Sequence, residues 1–193
     1  MNRHVLLTLI VLSLPPATSL AGTLEGKVSS GNSVVYVDAI PGKTFPAPTQ
    51  PVVISQRGLK FVPPINVVQV GTTVEFQNDD SVQHNVFWPS VGGNKKVAHN
   101  MGTWPQGEKR PFKFEHAGIV PLLCNVHPEM SGYLIVSPTP YFAQTDSAGN
   151  FKIDKVPDGK YTVVAWHEGS KPQSRLVEVT GGGTAKLDFA EAK

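Results

Sequence analysis

Read for alternation of apolar and polar positions, the chain beyond its first twenty or so residues is a succession of short strands. Thr23-Ser29 and Val34-Ile40 alternate around the turn Ser30-Gly31-Asn32, and a proline-rich connection follows from Pro41 to Pro51. Further strands are expected at Val52-Ser55, Lys60-Phe61, Asn66-Val70, Thr72-Gln77, Arg110-Phe114, Gly118-Leu123 and Gly132-Ser137. Beyond them come Tyr141-Thr145, Asn150-Ile153, Lys160-Trp166, Arg175-Val179 and Ala185-Phe189, separated by turns such as Asp146-Ser147-Ala148-Gly149, Pro157-Asp158-Gly159 and Gly181-Gly182-Gly183. Residues 87–110, rich in Gly, Asn, Trp and Pro, read as a long, partly ordered loop with at most one helical turn. No segment shows sustained helical periodicity, so the expected class is all-β, built as sandwiches with regularly recurring turns.

The opening stretch departs from this pattern. Arg3 precedes an apolar run from Val5 to Leu14, and Ser19-Leu20-Ala21 supplies small residues at a cleavage-like spacing. Residues 1–21 are therefore expected to be a secretory signal, cleaved near Ala21 to leave a periplasmic or secreted protein. The competing reading is a retained anchor, but ten apolar-rich residues are too few to span a bilayer. A lipoprotein would need a cysteine just after the signal, and the single cysteine is Cys124.

The whole chain of 193 residues carries a formal charge of only +2 and no block of like charge, which argues against nucleic acid as a partner. One cysteine in an exported chain cannot form an internal disulfide. A buried inert thiol is the plain explanation for such a residue, but the neighbours of Cys124 favour another. Residues 124 to 130 read Cys-Asn-Val-His-Pro-Glu-Met, placing a thiolate, an imidazole (His127) and a thioether (Met130) three residues apart on one tight loop. A second imidazole, His84, follows the strand Thr72-Gln77 and the polar turn Asn78-Asp79-Asp80. Those two loops can open on the same end of a sandwich. Two His and one Cys with a weak axial Met is the donor set of a mononuclear blue-copper site that carries one electron. Zinc would want Cys, His or carboxylate in the fourth position rather than a thioether.

His84-Asn85, Phe112-Lys113-Phe114 with Gly118, and Cys-x-x-His-Pro-x-Met resemble the plastocyanin/amicyanin-type cupredoxins over roughly residues 51–138. The two-residue gap between His127 and Met130 is similar to the short amicyanin loop. The resemblance implies a Greek-key sandwich of eight or so strands, one copper per chain cycling between Cu(I) and Cu(II), and one-electron exchange with a larger redox protein. A cytochrome c or a quinoprotein amine dehydrogenase is the partner it suggests. It also gives Asn85 a supporting role: its backbone N–H would reach the Cys124 sulfur, and its side chain would tie the two ligand loops together. His127, stiffened by Pro128, would be the electron port, within a patch to which Pro89, Met101, Trp104, Pro105 and Pro128 could contribute, although core packing explains Met101 and Trp104 equally well. The long loop 87–110 is not typical of small cupredoxins.

The segment Thr145-Asp146-Ser147-Ala148-Gly149-Asn150-Phe151, with Val156-Pro157-Asp158-Gly159-Lys160-Tyr161-Thr162-Val163, resembles a second fold, the transthyretin-like, carboxypeptidase-regulatory β-sandwich. Such domains open with a Gly-x-Val strand and a hairpin, and Gly26-Lys27-Val28 and Val34-Val35-Tyr36-Val37 fit that opening. The expected organisation is a signal at 1–21, an N-terminal hairpin at 22–45, a cupredoxin domain at 51–138 and the second sandwich at 139–193. The copper domain would be inserted into the second sandwich. Alternatively the hairpin lies on the cupredoxin sheet, since sequential elements are usually neighbours. His167-Glu168 fits an exposed turn after Trp166 more simply than a catalytic pair.

Besides electron transfer, the same ligands suit periplasmic copper storage or delivery, or a cell-envelope β-sandwich binding module that keeps a copper site. No enzyme is expected. Multicopper oxidases and copper nitrite reductases need further His clusters, and the dinuclear electron-transfer centre needs two Cys.

Overall fold

The structure is a computed structural model that describes residues 20–190; the expected signal at 1–21 lies almost wholly outside them. Among the described residues no helix is long and apolar enough to cross a membrane. Sixteen strands and a single 3-10 turn, Lys95–Val97, make up the regular structure of the described residues.

Nine strands form an inner sandwich: β3 (Val52–Gln56), β4 (Phe61–Val62), β5 (Ile65–Gln69), β6 (Thr73–Asn78), β7 (His84–Trp88), β8 (His99–Trp104), β9 (Lys109–Lys113), β10 (Gly118–Leu123) and β11 (Ser131–Ser137). One of its sheets runs β4-β3-β6-β9 and the other β5-β11-β10-β7-β8. The flanking chain supplies β1 (Ala21–Lys27), β2 (Val34–Val37), β12 (Phe142–Gln144), β13 (Asn150–Pro157), β14 (Gly159–Trp166), β15 (Gln173–Val179) and β16 (Thr184–Lys186). These make sheets β13-β1-β16 and β12-β2-β14-β15. The N-terminal hairpin strands thus pair with the C-terminal ones: Leu24 sits opposite Ile153, and Tyr36 opposite Val164 and Phe142. The inner sandwich is inserted into the outer one, and the alternative of a hairpin lying on the inner sheet does not occur.

The stretch 84–104 corrects the sequence expectation. His84 opens a strand rather than sitting on a loop, and a third of the expected loop 87–110 (residues 87–88 and 99–104) belongs to the strand pair β7–β8. The inner sandwich accordingly has nine strands against the eight or so expected. Neither strand advertises itself by alternation. Four of the five β7 residues are buried and a register shift separates Asn85 from Phe87, while in the edge strand β8 only Trp104 is fully buried.

Three cores hold four sheets in a stack. Ile54, Phe76, Val86, Trp88, Phe114, Val120, Leu122 and Leu134 fill the inner sandwich. Leu24, Val35, Val37, Phe151, Ile153, Tyr161 and Val163 fill the outer one. Between the two sandwiches lies a third layer of Val34, Ile65, Ile135 and Trp166, flanked by Tyr36, Val67, Ile119 and Tyr133. The rings of Tyr133 and Trp166 stand 5.0 Å apart there. Strand β11 is consequently buried on both faces from Leu134 to Ser137, which explains its unbroken apolar run.

Candidate metal centre

The site forms where the ends of β7 and β10 meet. Leu123 pairs with Phe87, and Cys124 follows at once as the chain leaves β10. Residues 124–130 then turn tightly before β11, with the Met130 N–H donating to the His127 carbonyl at 2.9 Å. His84 is the first residue of β7, facing inward opposite Trp104 of β8.

His84, Cys124 and His127 each direct one donor atom into a common point, all within 4.8 Å of one another, and form a group that can hold a metal ion. The two imidazoles face each other Nδ1 to Nδ1 at 3.1 Å, about the spacing of two donors that each sit about 2.0 Å from one transition ion. His84 is fully buried, Cys124 is 2% exposed and His127 is half-buried. Met130 is 1% exposed and belongs to the same core cluster as Cys124. The donor set fits a soft, redox-active ion: one thiolate and two imidazoles converge, and no carboxylate is among them.

The surroundings orient these donors. His84 Nε2 lies 2.9 Å from Asp80 Oδ2, so its proton is held there and Nδ1 is left as the free lone pair. Asp80 Oδ1 accepts from the Gly58 N–H at 2.7 Å and Oδ2 from the Leu59 N–H at 2.9 Å, both at the tip of the β3–β4 hairpin. Partial burial pushes the Asp80 carboxyl up, but the Leu59 and Gly58 amides and His84 outweigh it and hold the group below its usual value. Asp79 beside it is also held low, by hydrogen bonds from Ser55 and Gln77 and by Arg57.

Asn85 links the segments around the site. Its backbone N–H points at Cys124 Sγ at 3.4 Å, and its Oδ1 accepts from the Asn125 N–H at 3.2 Å. Its Nδ2 donates to Asn100 Oδ1 and to the Gly102 carbonyl, each at 2.8 Å, and its carbonyl accepts from Gln56 Nε2 at 3.2 Å. Asp80, Asn100 and Gln56 were not singled out in the sequence. Asp80 had a signal, four residues before His84 in a polar turn, whereas Asn100 and Gln56 depend on long-range pairing.

Of the residues named for the surface patch, Pro89, Pro105 and Pro128 are exposed. Trp104 is 1% exposed and packs in the core, and Met101 packs partly against it. Val126, at 44% exposure, and Pro128 lie on either side of His127, and Val82 at 43% and Leu59 at 40% are exposed on the His84 and hairpin segments. Among the described residues no second His/Cys/carboxylate group of this kind occurs. His167 lies in a polar cleft of about 390 Å³ at the seam of the two sandwiches, with its Nδ1 2.8 Å from the Glu168 carbonyl.

Comparison with known proteins gives two findings. Residues 134–191 match the carboxypeptidase regulatory-like domain, a span that takes in β12 to β16 while β1 and β2 come from before the insertion. Among solved structures, a reduced amicyanin variant overlaps with 24% identity over 51% of this chain and 97% of its own, at a TM-score of 0.42. An oxidised amicyanin variant overlaps with 24% identity over 45% of this chain and 81% of its own, at 0.41. A copper-containing nitrite reductase from Thermus scotoductus overlaps with 27% identity over 52% of this chain but only 25% of its own, at 0.42. No curated protein matches significantly. The strand arrangement is a nine-stranded sandwich inserted into a second one, and the C-terminal part of the chain is where the carboxypeptidase regulatory-like match falls.

Proposed function

We propose that the chain is a blue-copper electron carrier, with one copper held by His84, Cys124, His127 and Met130. The observation behind this reading is the buried meeting of Cys124 Sγ with two imidazoles that face each other at 3.1 Å, the sulfur also accepting the Asn85 N–H. Copper would supply the one-electron couple. The chain's own part is to keep the donors in one arrangement for both oxidation states, which keeps reorganisation small. Asp80 fixes the ring of His84, Asn85 bridges the ligand loops, and the tight 124–130 loop carries three of the four side chains. His127, half-buried between the exposed Val126 and Pro128, is the port through which a partner exchanges the electron. A cytochrome c or a quinoprotein amine dehydrogenase meets the requirements of a periplasmic partner.

The same ligands would serve copper storage or delivery. The extent of hydrogen bonding around His84 and Asn85 favours a fixed redox site over one built to release its ion. The test is the visible and electron-paramagnetic-resonance spectrum of the purified protein after one equivalent of Cu(II). An intense thiolate-to-copper band with narrow copper hyperfine splitting is expected. A colourless protein, or the weak spectrum of square-planar copper, would overturn the proposal.

A further inference from the structure

The strand β8 gives the long segment 87–110 a role. Its outer residues bury little, yet Asn100 Oδ1 accepts two hydrogen bonds, from Asn85 Nδ2 at 2.8 Å and from the Gly102 N–H at 2.9 Å. The backbone around it is clasped from the opposite sheet. Arg110 on β9 donates from Nη1 to the Met101 carbonyl at 2.7 Å and from Nη2 to the Thr103 carbonyl at 3.1 Å, with its guanidinium 4.9 Å from the centre of the Trp104 ring. Between those carbonyls Gly102 adopts φ +77°, and a Cβ there would meet Arg110 Nη1 at 3.1 Å. Arg110 and Gly102 therefore fix where Asn100 and the Gly102 carbonyl stand. Those two acceptors use both Nδ2 protons of Asn85, which is 2% exposed. With its amide so held, Asn85 presents Oδ1 to the Asn125 N–H and its backbone N–H to Cys124 Sγ.

We infer that Asn100 is a positioning residue for the copper site, acting through Asn85 to hold the N–H···S hydrogen bond on Cys124 and so to raise the reduction potential. A donor on the thiolate withdraws charge from the sulfur and favours the more electron-rich Cu(I) state. Loss of the Asn100 oxygen leaves one buried Nδ2 proton without a partner, and the amide turns to find another, loosening both of its downstream contacts. The copper-dependent part of this inference rests on the electron-transfer reading; the positioning part does not.

The experiment uses the full mature chain in three forms, wild type, Asn100→Ala and Asn100→Asp, with and without copper. In the metal-free protein, amide exchange at Asn125 followed by NMR should quicken about tenfold in Asn100→Ala, the equivalent of one hydrogen bond of about 1.4 kcal/mol. Its N–H has Asn85 Oδ1 as its partner. Asn100→Asp keeps the acceptor and should exchange as the wild type does. In the copper form, Asn100→Ala should shift the reduction equilibrium about tenfold toward Cu(II), about 59 mV lower for one electron. Unchanged exchange at Asn125 in Asn100→Ala overturns the positioning role, and faster exchange with an unchanged potential overturns the tuning. A wild type that takes up copper without a thiolate charge-transfer band sinks the electron-transfer reading, while exchange in the metal-free variants still judges Asn100 alone.

Discussion

Asp80→Ala isolates what a single carboxylate contributes to a preformed site. In the folded chain that carboxylate accepts three hydrogen bonds, from the amides of Gly58 and Leu59 and from His84 Nε2. Its side chain is 17% exposed, so water can replace it at the two hairpin amides. The His84 ring has no exposure at all, and its Nε2–H is left facing a truncated side chain. A hydrogen bond to a charged group contributes about 1.5–3 kcal/mol, and the metal-free protein should lose stability in that range in urea denaturation. Copper affinity should fall by more than that stability loss explains, because the imidazole can then place its proton on Nδ1 and withdraw the lone pair that faces His127. Removal of such an orienting carboxylate typically costs about 10–100-fold in affinity, read by competition for Cu(I) against a chromophoric chelator at neutral pH. Asp80→Asn, which keeps an oxygen on His84 without the charge, should fall between. If Asp80→Ala binds Cu(I) as tightly as the wild type while losing stability, the carboxylate supports the hairpin only and has no part in orienting the ligand.

Cys124→Ser should remove the intense colour of the copper form and leave the circular-dichroism spectrum unchanged, since the hydroxyl can still accept the Asn85 N–H; a blue Cys124→Ser protein would mean the ligand set is wrong. Met130→Leu should keep copper and raise the potential, as measured by voltammetry, because a weak donor is lost on the axial side. Trp166→Ala empties the seam between the sandwiches, where Trp166 packs against Val34, Ile65 and Ile135, and should cost about 3–5 kcal/mol in a single unfolding transition. Two well-separated transitions, one per sandwich, would show that the seam does not couple them. Asp146 is held below the usual carboxylate range by the Asn150 side chain and by the amides of Asn150, Ala148 and Gly149. A depressed folded value means its stabilisation is present above about pH 3.9, the unfolded value, and is lost as the pH falls through the folded one. Asp146→Ala should therefore narrow the stability difference between pH 6 and pH 3 in thermal melts.

The strands that alternate cleanly were readable before any coordinates. In β6 the pattern Thr73–Asn78 buries every second residue, and in β10 Val120 and Leu122 face the core while their neighbours do not. The insertion was readable too, because Gly26-Lys27-Val28 and Val34-Val37 belong to a sandwich whose other strands lie a hundred or so residues later. The candidate donors were named because a Cys, a His and a Met three apart form a pattern that packing does not require. What escaped was the pair β7–β8. The inward-facing residues at the start of β7 are polar, His84 and Asn85, because they serve the site rather than the core. In β8 only Trp104 is fully buried, so no period of two survives. For Trp104 the sequence left surface patch and core packing equally open; β8 turns it inward beneath Arg110.

The insertion has a consequence for how this molecule comes into being and persists. Its outer sandwich is sewn from two stretches of chain that meet across the whole inner one: the Val37 N–H reaches the Tyr141 carbonyl at 2.9 Å, and Thr139 Oγ1 reaches the Val37 carbonyl at 2.7 Å. Were the inner sandwich unfolded, closing a loop of roughly 100 residues to make those contacts would cost about 4 kcal/mol of chain entropy, a large part of a domain's net stability. Once folded, it delivers both ends side by side. The survival of β1 and β2 in their sheets is therefore tied to events many residues away, and an ion bound at His84, Cys124 and His127 would stabilise the outer sandwich along with the inner one.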